Sequence, residues 1–311
     1  MSHIKLEPLS QAETNLMATL MDEEEQGWLR ELDWDYAPIR RILESFLKQR
    51  LLPGFVLASD AKILGYSYFL ISHLKGVIGA LYASPPHGQQ AADSILSRTI
   101  ESLKAIRNVC RIEAQILPLN GLNLDPIFAS HGFQCFLRHY LELDLTIREW
   151  QEPNPAGSIV PWHASHLLPA AGVAYRSYRH GIDAIICADY GSEANCAAYL
   201  RSLVDNPGCG VFLPGSSFVG LDSRGSPCGF ILASRISNTA AMIPQISIHP
   251  AHQGKGLGNA LIHRALKSLQ SAGFRMVRLT VTEQNRRAFE WYQRLGFKIR
   301  RNFGAYLWKG D

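Results

Sequence analysis

The sequence predicts an α/β (α+β) fold built from two tandem copies of one strand-and-helix unit. The chain has 311 residues, about twice the length of a typical domain. Strand-like runs rich in aromatic and β-branched residues alternate with amphipathic helical segments. A shift of 164 positions places Pro86 on Pro250 and Gly132-Phe133 on Gly296-Phe297. Because both landmarks recur with unchanged spacing, the chain is interpreted as an internal repeat.

The first copy is predicted within residues 1–150. Runs bounded by Gly, Asp and Pro predict its strands at 54–59, 63–71, 76–83, 111–117 and 134–145. A helix is expected at about 89–106, because apolar residues recur there with helical spacing. Its apolar face consists of Ala92, Ile95, Leu96, Ile100 and Leu103.

The second copy is predicted at residues 158–311 and repeats this order. A linker of turn-forming residues at 151–157, Gln-Glu-Pro-Asn-Pro-Ala-Gly, separates the two copies. The predicted strands are 211–213, 217–221, 228–234, 240–248, 276–282 and 297–308, and the predicted helices are 257–271 and 286–295.

Composition describes an ordinary globular protein, with 47% hydrophobic and 19% charged residues. The net charge is +4 and no block of Lys and Arg occurs, so nucleic acid is not an expected partner. We expect a cytoplasmic protein with no membrane partner, because neither a signal peptide nor an apolar run of about 18 residues is found. The six cysteines include no C-x-x-C pair, which favours free thiols and no metal.

Two acidic segments of the first copy have open interpretations. The run Asp22–Glu25 is expected on a solvated helix or loop face, with attraction of a cationic substrate as the alternative. The segment from Glu31 to Tyr36 interleaves acids with aromatics, which suits either the packing of an exposed loop or a cation-binding pocket.

The segment 253–258, Gln-Gly-Lys-Gly-Leu-Gly, lies between a predicted strand and an amphipathic helix. Three glycines in five residues allow backbone N–H groups to converge at the positive end of the helix dipole. This arrangement is typical of phosphate-binding turns. No Lys-Ser/Thr pair follows, so it is not a Walker loop. The turn predicts that the chain binds a pyrophosphate.

A wider pattern extends from this turn to the end of the second predicted helix. Its positions are Gln253, Gly256, Gly258, Asn285, Ala288, Tyr292, Gly296 and Phe297. The pattern resembles the signature of the GNAT acetyltransferase superfamily, in a tandem form like that of mycothiol synthase-like proteins. The resemblance implies that each copy is a mixed, mostly antiparallel central sheet flanked by helices.

The resemblance also implies that acetyl-CoA is the co-substrate. The residues expected to bind it are Ile246, Ser247, Ile248, Gln253, Gly254, Lys255, Gly256, Leu257, Gly258, Asn259, Asn285, Ala288 and Tyr292. In GNAT folds the strand before the turn splays from its neighbour, so the backbones of Ile246 and Ile248 are expected to meet the pantetheine arm and the thioester. Tyr292 matches the position of the general acid, with a packing role as its alternative. Asn285 either orients the cofactor arm or caps the helix, and both roles can coexist.

The general base is not identified by the sequence. Met242 and Ile243 occupy the strand positions where many relatives carry Glu or His. Thr280 stands where acetyltransferases of the ribosomal type carry Glu, which argues against that subfamily. A water chain remains possible, as do four side chains that are candidates by proximity: His249, His252, Glu283 and Asp222.

The first copy is expected to be degenerate and non-catalytic. Ala92 and Ser94 stand opposite Gly256 and Gly258, and Phe128 stands opposite Tyr292. The added Cβ atoms lie where a phosphate approaches in the family, and Phe128 has no hydroxyl. This copy either completes the substrate cleft or packs against its twin as a pseudo-dimer.

The expected function is direct acetyl transfer from acetyl-CoA to a small-molecule or peptide primary amine. The alternative is a non-catalytic module of GNAT fold that binds or senses acyl-CoA. Specificity residues are expected between Tyr175 and Tyr190, a segment that includes Arg176, Arg179, His180 and Asp183. The chain is expected to act as a monomer or as a homodimer.

Overall fold

The computed structural model describes residues 4–59, 61–72, 74–85, 87–151 and 158–310. The chain forms two compact units. The first unit spans residues 1–138 together with 303–311, and the second spans 139–302.

The elements of the first half are, in chain order, β1 (Lys5–Pro8), α1 (Thr14–Leu32), α2 (Ala37–Lys48), β2 (Gly54–Ala58), β3 (Ile63–Ser72), β4 (Lys75–Ala83), α3 (Gly88–Lys104), β5 (Arg111–Gln115), α4 (Asp125–Ser130) and β6 (Gln134–Asp144). Those of the second half are β7 (Ser158–Pro161), α5 (Leu167–Tyr178), α6 (Ile182–Ile186), α7 (Glu193–Asp205), β8 (Val211–Phe212), β9 (Phe218–Leu221), β10 (Pro227–Arg235), β11 (Ala240–Ile248), α8 (Leu257–Ser271), β12 (Met276–Thr282), α9 (Arg286–Leu295) and β13 (Lys298–Lys309).

In the first unit the strands follow the order β1-β2-β3-β4-β5-β13. Neighbouring strands are antiparallel except for the parallel pair β4 and β5. Helix α3 covers this sheet with the predicted apolar face, since Ala92, Ile95, Leu96, Ile100 and Leu103 are all fully buried. Burial of these side chains is the main driving force for docking the helix.

In the second unit the order is β6-β12-β11-β10-β9-β7, with β8 also paired to β10. Strand β11 pairs with β10 in antiparallel and with β12 in parallel orientation. Helix α8 places its apolar face against the sheet, where Leu261, Ile262, Ala265, Leu266 and Leu269 are fully buried. The predicted class, a mixed and mostly antiparallel sheet with helices in each of two copies, is confirmed.

The internal repeat is visible in the strand pairing of each unit. The described parallel pairing of β4 with β5 ends at Ile78↔Ala114. The described parallel pairing of β11 with β12 ends at Met242↔Arg278. Both residues of the second pair lie 164 positions after those of the first. The shift found in the sequence therefore also relates the points at which the two strand pairs separate.

The compact units do not coincide with the predicted domains, because β13 ends in the first unit, where Ala305 to Lys309 pair with β5. The domain ranges 1–150 and 158–311 stay a prediction. The predicted linker at 151–157, apart from Gln151, lies outside the described residues, as does the repeat landmark Pro86.

The prediction that residues 22–25 form a solvated face is wrong for Glu24. Its side chain is 2% exposed and accepts hydrogen bonds from the Tyr66 hydroxyl at 2.7 Å and from the Trp28 indole N–H at 3.2 Å. Burial raises the pKa of Glu24 to about 7, although these donors oppose the shift. The exposed-loop interpretation of 31–36 is also wrong, because Trp34 and Tyr36 are buried and Tyr36 stacks on Trp28 with ring centroids 5.0 Å apart.

None of the helices formed by the described residues has both the length and the apolar character that a membrane span requires.

Candidate active site

The candidate site is at the end of β11, where this strand leaves its parallel neighbour. The described pairing with β12 extends from Ala240↔Met276 to Met242↔Arg278, whereas the pairing with β10 continues to Gly229↔Ile248. The segment from Ile246 to Ile248 is thus held by β10 on one edge and is open toward β12 on the other. The backbone N–H groups of an unpaired strand edge can bind an extended ligand.

Strand β11 leads into the glycine turn. Gly254 and Gly256 have φ values of 74° and 85°, in the left-handed region that glycine adopts without strain. A Cβ atom at either position meets no described atom within 4 Å, so the space beside the turn is open. Helix α8 then begins at Leu257, whose buried side chain anchors the start of the helix against Gly220.

The turn has a set of backbone donors without protein acceptors. Among the described residues, no acceptor bonds the N–H groups from Gly254 to Asn259. These donors lie at the positive end of α8, beside the exposed side chain of Lys255. A diphosphate is the kind of group that such donors bind, so the residues present fit the pyrophosphate of a nucleotide cofactor.

Gln253 connects the strand to the second helix of the pattern. Its side-chain amide N–H donates to the carbonyl of Ile248 at 3.0 Å, and its amide oxygen accepts from Arg287 at 3.1 Å. These contacts fix the start of the turn relative to α9. The remaining positions of the predicted pattern, from Asn285 to Phe297, lie on that helix or at its ends.

Asn285 is the N-cap of α9, because its side-chain oxygen accepts from the N–H of Ala288 at 3.4 Å. Its amide N–H donates to the carboxylate of Asp183 at 3.1 Å. The capping role is therefore present in the structure, and the cofactor-orienting role of Asn285 and Ala288 stays a prediction. Helix α9 ends at Gly296, which has a φ of 103° and serves as its left-handed C-cap.

Tyr292 is on the buried face of α9, with 6% of its surface exposed. Its ring packs edge-on against Phe297, with centroids 5.7 Å apart. It also contacts the ring of Trp291 in a tilted arrangement, with centroids 5.0 Å apart. Burial raises its pKa well above the usual range, and the neighbouring Tyr178 and Asp183 raise it further. The hydroxyl therefore keeps its proton at neutral pH, which is the state a general acid requires.

Among the base candidates, the structure shows two in turns. Asp222 accepts backbone hydrogen bonds from Ser226 and Arg224, at 2.9 and 2.8 Å, and these bonds lower its pKa. His249 caps a short turn through the N–H of Ala251, and partial burial lowers its pKa, with Arg176 and His252 contributing.

The remaining positions considered for the base differ in exposure. Glu283 is exposed and His252 is half-buried. Met242 and Ile243 are buried in the sheet and cannot take a proton. The identity of the base stays open.

Three contacts at the site were not predicted from the sequence. The Tyr178 hydroxyl donates to the carbonyl of Ile246 at 2.9 Å. The Tyr190 hydroxyl donates to Gln245 at 3.0 Å, and Gln245 in turn donates to the Ser247 hydroxyl at 2.9 Å. The two tyrosine contacts join residues more than 50 positions apart, so no local pattern could reveal them. They attach the predicted specificity segment to the same part of β11 that the cofactor is expected to contact.

Among its described residues, the first unit has no comparable turn. Helix α3 already begins at Gly88, so the counterparts of the turn residues, 89–92, belong to the helix and Ala92 is fully buried. Gln89 donates to the carbonyl of Asn123 at 2.9 Å and accepts from its N–H at the same distance. Its amide is thereby committed to a contact within this unit.

The counterparts of Ile246 and Ile248 in the first unit are Tyr82 and Ser84. Glu23 from α1 accepts hydrogen bonds from both side chains, at 3.0 and 2.8 Å. The carboxylate of Glu23 therefore accepts the hydrogen bonds of the polar side chains at this strand end.

The comparisons with known proteins identify a GNAT domain in the second half of the chain. The Acetyltransferase (GNAT) family matches residues 184–297, and the chain thus contains a domain of this family. It is 38% identical over 81 residues to an uncharacterized N-acetyltransferase of Methanocaldococcus jannaschii, which covers 24% of this chain and 36% of that protein. It is 33% identical over 82 residues to a streptothricin acetyltransferase of Streptomyces lavendulae, covering 26% and 43% of the two chains. The chain therefore spans less than half the length of these curated relatives.

Solved structures match over nearly the whole chain and show the fold. A GCN5-related N-acetyltransferase from Sphaerobacter thermophilus has a TM-score of 0.69 at 12% identity, covering 98% of this chain and 95% of that one. A tandem GNAT protein from the clavulanic acid biosynthesis pathway has a TM-score of 0.60 at 15% identity, covering 99% and 98%. The two-domain tandem form expected from the repeat is confirmed.

Proposed function

We propose that this protein transfers an acetyl group from acetyl-CoA directly to a primary amine of a small molecule or peptide. The observation that carries the proposal is the glycine turn, whose unpaired N–H groups lie at the end of a strand with one open edge. The match of residues 184–297 to the acetyltransferase family supports the same chemistry. The donor, the acceptor and the direct mechanism are the proposed parts.

The chain's residues supply four requirements of acyl transfer. The turn from Gly254 to Asn259 holds the pyrophosphate, while the open edge of β11 aligns the pantetheine arm. Backbone N–H groups of this strand end stabilise the negative charge that develops on the carbonyl oxygen. As the amine nitrogen bonds to the carbonyl carbon and the carbon–sulfur bond breaks, Tyr292 donates its proton to the sulfur. The nitrogen releases its extra proton to water, and Tyr292 is reprotonated from water.

The test is an amine panel with acetyl-CoA, followed by release of free thiol. The panel contains an alkylamine, a diamine, an amino sugar and a dipeptide with a free N-terminus. We expect thiol release above the rate of hydrolysis with at least one of these classes. Release at the same rate with and without every amine would contradict amine transfer.

A second candidate function is supported by one observation. Met242 and Ile243, where many relatives place a base, are apolar and buried. A module that binds or senses acyl-CoA without turnover needs no base. Tight binding of acetyl-CoA without thiol release across the panel would favour this module over the enzyme.

A further inference from the structure

Asp183 lies on α6, inside the segment expected to contact the acceptor, and its carboxylate is fixed from two sides. The hydroxyl of Thr282 donates to one oxygen at 2.7 Å, and the amide of Asn285 donates to the other at 3.1 Å. Thr282 is fully buried and ends β12, while Asn285 begins α9. Each carboxylate oxygen accepts two hydrogen bonds, so both keep capacity for a ligand.

The negative charge of Asp183 is not neutralised by the described residues. Its side chain is half-buried, and no ion pair joins it to a described cation. The nearby basic residues of the segment have other contacts: Arg176 pairs with Glu193 at 2.9 Å, and Arg179 lies over the ring of Tyr175. A partly buried carboxylate without a counter-ion attracts a positively charged ligand.

Asp183 is also close to the groups assigned to the reaction. Its charge contributes to the raised pKa of both Tyr292 and Tyr190. Tyr190 stacks on Tyr178 with centroids 4.4 Å apart, and the Tyr178 hydroxyl bonds the carbonyl of Ile246. A carboxylate, two aromatic rings and the strand end expected to align the thioester therefore converge. Aromatic faces and a carboxylate together favour a cationic ligand.

We propose that Asp183 binds the acceptor as a protonated primary amine and positions its nitrogen for attack. The proposal rests on the proposed acetyl transfer and specifies its substrate class, a cationic amine rather than a neutral acceptor. The ammonium docks on the carboxylate, loses one proton to water, and then donates a remaining N–H to Asp183. This bond directs the nitrogen lone pair toward the thioester carbon. Thr282 and Asn285 act as positioning residues that fix the carboxylate.

The test compares Asp183→Asn with wild type, using acetyl-CoA and the panel amine that the wild-type protein acetylates. The variant keeps the shape of the side chain and removes its charge. We expect KM for the amine to rise by about 10- to 100-fold, the range for losing a charged hydrogen bond. We expect kcat to change less, and the affinity for acetyl-CoA measured by titration calorimetry to stay within about twofold. Asp205→Asn, which removes an exposed carboxylate from the end of α7 in the same unit, is the matched control and should leave KM unchanged.

Asp183→Glu separates binding of the amine from a structural role. It restores the charge, so part of the lost amine affinity should return even though the hydrogen bonds to Thr282 and Asn285 are altered. An unchanged KM in Asp183→Asn, or equal loss of acetyl-CoA affinity and amine affinity, would overturn the role of Asp183. The proposed acetyl transfer would not be affected by that result. If the wild-type protein acetylates no amine of the panel, the proposed function fails and this assignment fails with it.

Discussion

At the scale of single residues, burial determines the chemical state of Tyr292. The ring is packed between Trp291 and Phe297, and the surrounding protein disfavours the phenolate. Because its pKa is raised, the hydroxyl stays protonated throughout the range in which enzymes are usually assayed. An alkaline limb from ionisation of this phenol is therefore not expected below about pH 10.

The first prediction is that Tyr292→Phe slows acetyl transfer by about 10²-fold or more, because the leaving thiolate loses its proton donor. The ring and its packing are conserved, so affinity for acetyl-CoA should barely change. The deficit should be constant from about pH 7 to about pH 10, since the wild-type hydroxyl does not titrate there. Single-turnover thiol release measures the rate.

Tyr199→Phe is the matched control, because it removes a hydroxyl from α7 in the same unit. It should retain the wild-type rate. A wild-type rate in Tyr292→Phe would mean that this residue only packs and that the thiolate is protonated by water.

The second prediction concerns Glu24. Its pKa is about 7 in the folded protein and about 4.3 in an unfolded chain. A raised folded pKa means that the residue's contribution to stability is complete below the unfolded pKa and is lost as pH rises through 7. Glu24→Gln carries no charge at any pH. Relative to wild type, its free energy of unfolding should rise between about pH 4.5 and pH 7.5, by at most about 3 kcal/mol.

Denaturant unfolding followed by tryptophan fluorescence measures this difference, because Trp28 bonds Glu24 directly. Glu101→Gln removes an exposed carboxylate from α3 of the same unit and serves as the control. Parallel pH profiles for Glu24→Gln and wild type would show that Glu24 is charged at no cost in the folded state.

At the scale of elements, the regular segments of the sequence were predictable because their apolar residues have a clear period. Helices α8 and α9 and strands β11 and β12 have the predicted bounds. Helices α1 and α2 were not predicted, and the buried carboxylate of Glu24 shows one reason. A charged residue on the core-facing side of α1 interrupts the apolar stripe that identifies an amphipathic helix. The fold therefore follows from local patterns, whereas polar burial depends on partners such as Tyr66 that are distant in sequence.

The candidate site likewise combines features that local sequence patterns reveal with contacts that they do not reveal. The turn and α9 were recognisable, since glycines, an N-cap residue and a C-cap glycine have local meaning. The contacts of Asp183 with Thr282 and Asn285 join residues about 100 positions apart. No spacing rule connects such residues, so only the three-dimensional arrangement reveals that the specificity segment reaches α9.

The third prediction tests the turn. Gly256→Glu should lower the affinity for acetyl-CoA by about 100-fold or more, because a carboxylate would occupy the space of a phosphate and a side chain would strain a φ of 85°. Gly273→Glu is a matched control, since Gly273 has a φ of 89° and open space and follows the other end of α8. Calorimetry should show normal binding for Gly273→Glu. Normal binding by Gly256→Glu would mean that the pyrophosphate binds elsewhere.

At the scale of the whole molecule, the two units differ in what they offer a nucleotide. The second has a turn with unpaired donors, whereas the first has a helix that begins earlier and a carboxylate, Glu23, at the corresponding strand end. A negatively charged group at this position disfavours a diphosphate ligand.

The fourth prediction is one acetyl-CoA site per chain. Titration calorimetry of the wild-type protein should give a stoichiometry close to one, and Gly256→Glu should remove this site without revealing another. Two equivalent sites in the wild type, or a residual site of similar affinity in the variant, would contradict the assignment of the first unit as non-binding.

The separation of the parallel strands in the first unit has a consequence for the history of the protein. Ile78↔Ala114 and Met242↔Arg278 end their ladders at the same repeat position, yet only the second unit retains the glycine turn beside the gap. An opening without a ligand has no local advantage, because it leaves a strand edge to be satisfied by other groups. Its presence at the same repeat position in both units agrees with duplication of one ancestral unit. After such a duplication the helix start and the polar contacts of the two copies diverged, because α3 begins at Gly88 and Glu23 bonds the strand end, while the point of strand separation stayed the same.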